Sequence, residues 1–309
     1  QFNVTAYDTT SVAIMTLQAF AGMWINAFIV SVISMAWIQK EALNSNEKIL
    51  LFLGCSRFWY LFISWFYYFL SILYPRSLYV HPTLQLVVSI QGFFDSSNLW
   101  VSASLCVFYC IKIANFSNNF FIYLKVKTDR IVSWLLLASV LFSLVIGIVA
   151  YDITDKVHCN NRNSTGRGSF WKASIKMDKH FFPSFFLTGF GYAISFTAVI
   201  FSALLILFSL WRHIHNMQTN SLKDFSMDVH IKAMKSILSF LVMYSINFAS
   251  LILKMVYVTK KGSPVMFLLL VFQYAFPGVH SLILIFSNPK LEKTLLRILP
   301  YVKFRVCMR

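Results

Sequence analysis

The chain has 309 residues, of which 58% are hydrophobic and only 12% charged, with 32 Phe and a formal net charge of +16. A soluble domain carries nearer half apolar and a quarter charged residues, so the composition excludes an ordinary soluble globule and points to a bilayer. The basic residues lie between long apolar runs rather than in one arm or domain, which excludes nucleic acid as the partner and matches basic membrane loops.

Crossing ~30 Å of hydrocarbon takes roughly 20 residues in a helix. Seven apolar runs reach that length, near 11–38, 48–73, 84–112, 130–151, 183–212, 231–258 and 264–287. They predict an all-α fold, a seven-transmembrane helix bundle in one domain over 1–309, with an outer loop at 152–182 and an inner tail at 288–309. Gln1 to Ser11 is polar and lacks a basic region, so the first membrane helix is expected to act as its own insertion signal. The two halves of the chain show no internal repeat, which weighs against many transporter architectures.

Lys and Arg set the orientation. With the N-terminus outside, the inner segments hold 16 basic residues and the outer ones nine, six of these in the single long loop. The chain is therefore expected to be a multi-pass plasma-membrane protein with an extracellular N-terminus and a cytoplasmic C-terminus. Sequons at Asn3 and Asn163 fall on the outer side and are candidate glycosylation sites, whereas Asn115 falls inside and should be silent.

In chain order, the first polar signal is Asn26 in the first helix. The second helix carries Arg57 in its inner half, able either to snorkel or to pair with Asn26 and polar groups of the seventh helix. Trp65, Tyr67 and Tyr68 end that helix. The third helix holds Gln91, Phe94, Asp95 and Asn98 within an apolar run. An acid there costs roughly 2.5–3.5 kcal/mol on insertion scales, so Asp95 must face the bundle interior or a wet cavity. Its alternatives are a counter-ion for a ligand and a structural hydrogen-bond partner. The sixth helix adds Tyr244 and Asn247, and the seventh Gln273 and Tyr274, which together suit an amphipathic small molecule, including a cationic one. His280 and Ser281 follow, with His280 expected to hydrogen-bond a neighbouring helix.

After Asn288-Pro289 the tail reads as a short amphipathic helix, with Leu291, Leu295, Ile298 and Leu299 opposite Lys290, Lys293 and Arg297. Cys307 lies among basic residues and is either a palmitoylation site or an idle thiol; Cys106 and Cys110 read as small core residues. The seven His are scattered, with no H-E-x-x-H, G-x-S-x-G or phosphate-binding glycine loop. No enzyme, metal or cofactor is expected.

Several motifs are recognisable in order along nearly the whole chain. They are Leu53-Gly-Cys-Ser56-Arg57, Leu105-Cys-Val-Phe108-Tyr109-Cys110-Ile-Lys112, Leu207-Phe-Ser209-Leu210-Trp-Arg-His213, His230-Ile-Lys232-Ala233-Met-Lys235-Ser236, and Pro277-Gly-Val-His280-Ser281 with Asn288-Pro-Lys290-Leu291. Together they resemble the type 2 taste receptors, the bitter receptors. The resemblance implies detection of small bitter molecules in the outer bundle and activation of a gustducin-type, inhibitory-class G protein. It places Asp95 where members often have a ligand-contacting Asn, Gln91 where Trp is common, and Leu270 where some have an acidic ligand partner. Asn247 stands where a Tyr acts in switching, and Ser195 where many have a fifth-helix Pro. Filling the Gln91–Asp95–Asn247 region is expected to reposition the sixth helix against the third and to open an inner cleft lined by Tyr109, Lys112, His213, Met217 and Lys232, where a G-protein helix docks. The other readings are a vomeronasal-type chemosensory receptor and a small membrane transporter.

Overall fold

The computed structural model describes residues 6–40, 42–78, 80–113, 119–163, 181–219, 225–257 and 264–306, with backbone alone near several helix ends. These residues form α1 (Ala6–Lys40), α2 (Ser45–Leu73), α3 (Pro75–Leu78), α4 (Thr83–Ile113), α5 (Asn119–Val126), α6 (Thr128–Asn163), α7 (Phe181–Thr219), α8 (Phe225–Tyr257), α9 (Pro264–Ser287) and α10 (Pro289–Val306). All regular structure among the described residues is helical, as a bilayer demands of a chain that must satisfy its backbone within each segment. Six helices are long and apolar enough to cross a membrane, and α8 carries a shorter apolar stretch, Ile237–Leu253, within its described part. The seven long helices form the expected bundle, and "upper" denotes the end at which α1 begins.

Local chemistry sets the helix starts. The backbone N–H of Asn44 donates to Glu47 Oε2 at 3.1 Å in the first turn of α2. Asn288 Oδ1 accepts the N–H of Lys290 at 3.0 Å, and Pro289 opens α10, so the chain leaves α9 in a single step. The expected tail helix is present: Leu291 is buried and Leu295 packs beside it at the base of the bundle, while Ile298 stays exposed.

The third long helix, α4, is the axis. It packs on α2, α6 and α7, and 72% of its most apolar window is buried, against 28% for α6. Close approach depends on small residues. A Cβ on Gly278 of α9 would meet the Cα of Gly22 in α1 at 3.3 Å, so these two backbones touch where both lack side chains. On the other side, Ser89 Oγ of α4 donates to the carbonyl of Gly147 in α6 at 2.7 Å.

One feature departs from the sequence expectation, and a second is visible only in the packed bundle. First, α6 continues as helix to Asn163, through the first part of the segment expected to be loop from 152. Polar pairing carries it: Lys156 bridges Asp152 at 2.6 Å one turn away, and Asp155 accepts from Gln85 Nε2 at 3.3 Å. Second, α8 packs on α7 and α9, and among the described residues none of its Cα atoms comes within 8 Å of one in α4. Aromatic side chains pack α8 against α7, with Phe196 stacked on Phe248 at 4.0 Å, and the neighbouring Tyr244 reaches across to the Leu99 carbonyl of α4.

Candidate functional site

Sequence periodicity brings the polar residues together before any packing is considered. Gln91, Asp95, Asn98 and Ser102 share one face of α4, and Arg57, Tyr60 and Ser64 one face of α2. The packing of α2 on α4 sets these faces against each other.

The deeper half of this seam is a dry node. Arg57 is 0% exposed. Its Nε donates to Asn98 Oδ1 at 2.9 Å, Nη1 to Ser281 Oγ at 2.8 Å and Nη2 to Ser102 Oγ at 3.1 Å, and Nη2 also meets His280 Nδ1. Ser281 Oγ in turn donates to Asn26 Oδ1 at 2.8 Å. The snorkelling alternative for Arg57 is thus overturned, because α4 and α9 supply acceptors within reach and the guanidinium has no path to water. Asn26 joins through Ser281. Every acceptor on Arg57 is neutral, so the fork is satisfied by hydrogen bonds rather than by a counter-charge. Accepting from Arg57 at Nδ1 puts the His280 proton on Nε2, which is buried with no hydrogen-bond partner and lies in a ring packed on Phe240 at 4.5 Å. Asn98, grouped by sequence with the ligand residues, belongs to this node.

The upper half is looser and aromatic. Gln91 Nε2 donates to Ser64 Oγ at 3.3 Å, and the Tyr60 hydroxyl lies within hydrogen-bond reach of Ser64 and Gln273. Asp95 Oδ2 accepts from the Tyr192 hydroxyl at 2.8 Å, a charge-assisted bond that ties α4 to α7. Trp65 Nε1 donates to Thr16 Oγ1 at 3.0 Å, and Tyr68 meets Tyr274 edge-to-face at 6.5 Å. Phe94, Leu270, Trp65 and Tyr68 pack around Met15, Tyr60, Leu61 and Tyr274 in one cluster. Tyr244 does not join it. It is fully buried between α4, α7 and α8, with its hydroxyl 3.4 Å from Ser195 Oγ and 3.5 Å from the carbonyl of Leu99. Asn247 is buried one turn above it on α8.

Sequence reasoning passed over Tyr192, Tyr60, Ser64 and Ser102. The i, i+3, i+7 spacing of Arg57, Tyr60 and Ser64 could have found two of them, and the spacing from Asn98 to Ser102 a third. Tyr192 carried no signal, since a tyrosine in an apolar run fits core and site equally well.

At the lower end a cavity of about 460 Å³ lies between α2, α4, α5 and α6, bounded by Asn44, Asn46, Phe108, Lys112, Lys125, Thr128 and Asp129. Tyr109 donates to Asn46 Oδ1 at 3.2 Å beside it. Of the five residues expected to line one inner cleft, Tyr109 and Lys112 therefore have contacts on the α2 side of α4, and the side chains of His213, Met217 and Lys232 lie outside the described residues. So do Asn3, Cys307 and the side chain of Asn163.

Comparison with known proteins adds the following. The family Taste receptor protein (TAS2R) matches residues 4–303. Taste receptor type 2 member 41 of Rattus norvegicus is 33% identical over 93% of this chain and 94% of its own length. Taste receptor type 2 member 40 of Gallus gallus is 30% identical over 96% of each. Taste receptor type 2 member 41 of Mus musculus is 32% identical over 92% of each.

Proposed function

We propose, for a chain that belongs to the taste receptor type 2 family, that small bitter molecules bind in the upper part of the bundle and activate a gustducin or Gi-type G protein. The upper end then faces the outside of the cell and α10 the cytoplasm. The observation that carries the reading is the amphipathic seam of Gln91, Asp95, Tyr60, Ser64, Gln273 and Tyr192, set beside an aromatic cluster and above the sealed Arg57 node. Such a mixture of ring surface with a few convergent polar groups suits molecules that are largely apolar with one polar or cationic end.

Activation requires a ligand to prefer one arrangement of the bundle over another. Among the described residues α8 has no close backbone approach to α4 and meets it through side chains such as Tyr244. A ligand at Gln91, Asp95 and Asn247 that disturbs the Tyr192–Asp95 bond or the Phe196–Phe248 stack shifts α8 relative to α4. That shift opens the lower end to a G-protein helix at Tyr109, Lys112, His213, Met217 and Lys232. Arg57, Asn98, His280 and Ser281 form the hub against which it moves.

The test is calcium release from cells co-expressing the chain and a gustducin-tailed promiscuous G protein, challenged with a panel of cationic and neutral bitter compounds. A dose-dependent response absent from mock cells is expected. Silence across the panel at normal surface expression, together with no nucleotide exchange by purified receptor and G protein, would count against the reading.

A further inference from the structure

The lower cavity lies apart from the proposed ligand site and from the Arg57 node, and three things locate and characterise it. First, its walls are the ends of membrane spans: α2 and α6 begin at Ser45 and Thr128, and the α4 span ends at Ile113, one residue after Lys112. A cavity at the shared end of three spans sits at the boundary between hydrocarbon and water.

Second, its charge is unbalanced. Lys112 and Lys125 both line it and are exposed, and neither has a carboxylate within 4 Å among the described residues. Lys112 is instead held over the Phe108 ring, its Nζ 5.4 Å from the centroid. The one carboxylate in the wall, Asp129, accepts from Ser45 Oγ. Two ammonium groups thus face one engaged acid, with the amides of Asn44 and Asn46 as further donors.

Third, α5 beside the cavity is largely apolar and leaves part of that surface exposed. Ile122 and Val126, one turn apart, are 53% and 80% exposed, and Tyr123 is 55% exposed with Lys127 donating to its hydroxyl at 3.0 Å. A short helix with exposed apolar residues and flanking lysines lies in the plane of a membrane surface.

We propose that this cavity binds the phosphorylated headgroup of an anionic phospholipid, with Lys112 and Lys125 on the phosphates and the acyl chains running along the exposed side of α5. A volume of about 460 Å³ falls within the ~300–1,000 Å³ of small-molecule sites and admits a sugar-phosphate headgroup as well as a lone phosphate. Occupancy would pin α5 and the start of α6 to α4 and α2, at the end of the bundle where the G protein is proposed to dock.

The experiment is native mass spectrometry of the full-length chain in detergent, titrated with dioctanoyl phosphatidylinositol bisphosphate, dioctanoyl phosphatidylcholine or free inositol trisphosphate. The bisphosphate lipid should bind at least about tenfold more tightly than phosphatidylcholine. Lys125→Ala should weaken it about fivefold and the pair K112A/K125A about 30-fold, from the worth of a lysine at an anionic membrane surface. The charge-retaining pair K112R/K125R should bind within about threefold of wild type, and Lys156→Ala, at the upper end, should change nothing. Equal binding by wild type and K112A/K125A, or by the two lipids, would overturn the proposal. Free inositol trisphosphate binding as tightly as the lipid would overturn the lipid assignment in favour of a soluble phosphate. No agonist or G protein is present, so this outcome and that of the receptor assay are independent.

Discussion

Single residues in this bundle differ in whether water or ligand can reach them, and substitutions divide accordingly. Asp95 holds Tyr192 at 2.8 Å near the upper end, and an amine could share that carboxylate. Replacing it by Asn removes a charge-assisted contact of about 1.5–3 kcal/mol, or roughly 10–150-fold in affinity. Asp95→Asn should therefore raise the half-maximal concentration for cationic agonists by that factor in calcium dose-response curves, and for neutral agonists by less than about threefold. Equal losses at matched surface expression would leave Asp95 as a structural tie between α4 and α7. Arg57 differs because it is sealed. Its removal strands Asn98, Ser102, Ser281 and His280 in a dry core, at about 1–3 kcal/mol for each buried polar group left without a partner. Arg57→Ala is expected to abolish surface expression measured by flow cytometry. Arg57→Lys, with the charge but without the planar fork, should recover only part. Normal expression of the alanine variant would show that the node is dispensable for folding.

At the scale of elements, the bundle is held by close backbone contacts on one side and by side-chain contacts on the other. Gly22 and Gly278 let α1 and α9 touch, whereas stacked aromatics join α8 to α7 and Tyr244 alone of these rings reaches the α4 backbone. Gly278→Ala places a methyl 3.3 Å from the Gly22 backbone, and overpacking of this sort costs about 1–3 kcal/mol. Gly189, where an added Cβ meets nothing within 4 Å, should gain up to about 1 kcal/mol from the better helix former. Thermal unfolding of the purified chain in detergent should move down for Gly278→Ala and level or up for Gly189→Ala. A fall of similar size in both would show that contact distance is not what sets the cost. At the lower end, Lys290 of α10 pairs with the buried Glu47 at the start of α2, so the tail helix is fastened to the bundle as well as laid along it.

For the whole molecule, orientation is the property on which the receptor reading turns. The excess of basic residues in alternate loops predicts that an epitope at Gln1 is stained on intact cells and one at Arg309 only after permeabilisation. The doubly substituted Asn3→Gln, Asn163→Gln chain should lose the mobility shift that a glycosidase produces in wild type. The reverse staining pattern would put the aromatic cluster inside the cell and remove the basis for an external ligand. The fold behind this test was legible in advance because seven runs such as 264–287 are predominantly apolar over a bilayer's width, and hydropathy needs no tertiary contact. The node was half legible: Arg57 and His280 declared themselves as polar groups in apolar runs, but which helix would meet Arg57 depends on rotation angles that one helix's sequence does not fix. The length of α6 was misread because a polar helix with i, i+4 pairs resembles a loop once hydropathy is the only guide.

The sequence by itself determined what the solvent imposes: the long apolar helices, the basic loops, the amphipathic α10 and the family motifs strung along the chain. These follow from local composition and period, each readable within about 20 residues. Tertiary structure alone decided the pairings. It sealed Arg57 with neutral partners, gave Asp95 to Tyr192, tied Asn98 to Arg57, and set Lys112 and Lys125 around one cavity. The physical reason is that such contacts join residues far apart in the chain, and only the packed bundle fixes which faces meet.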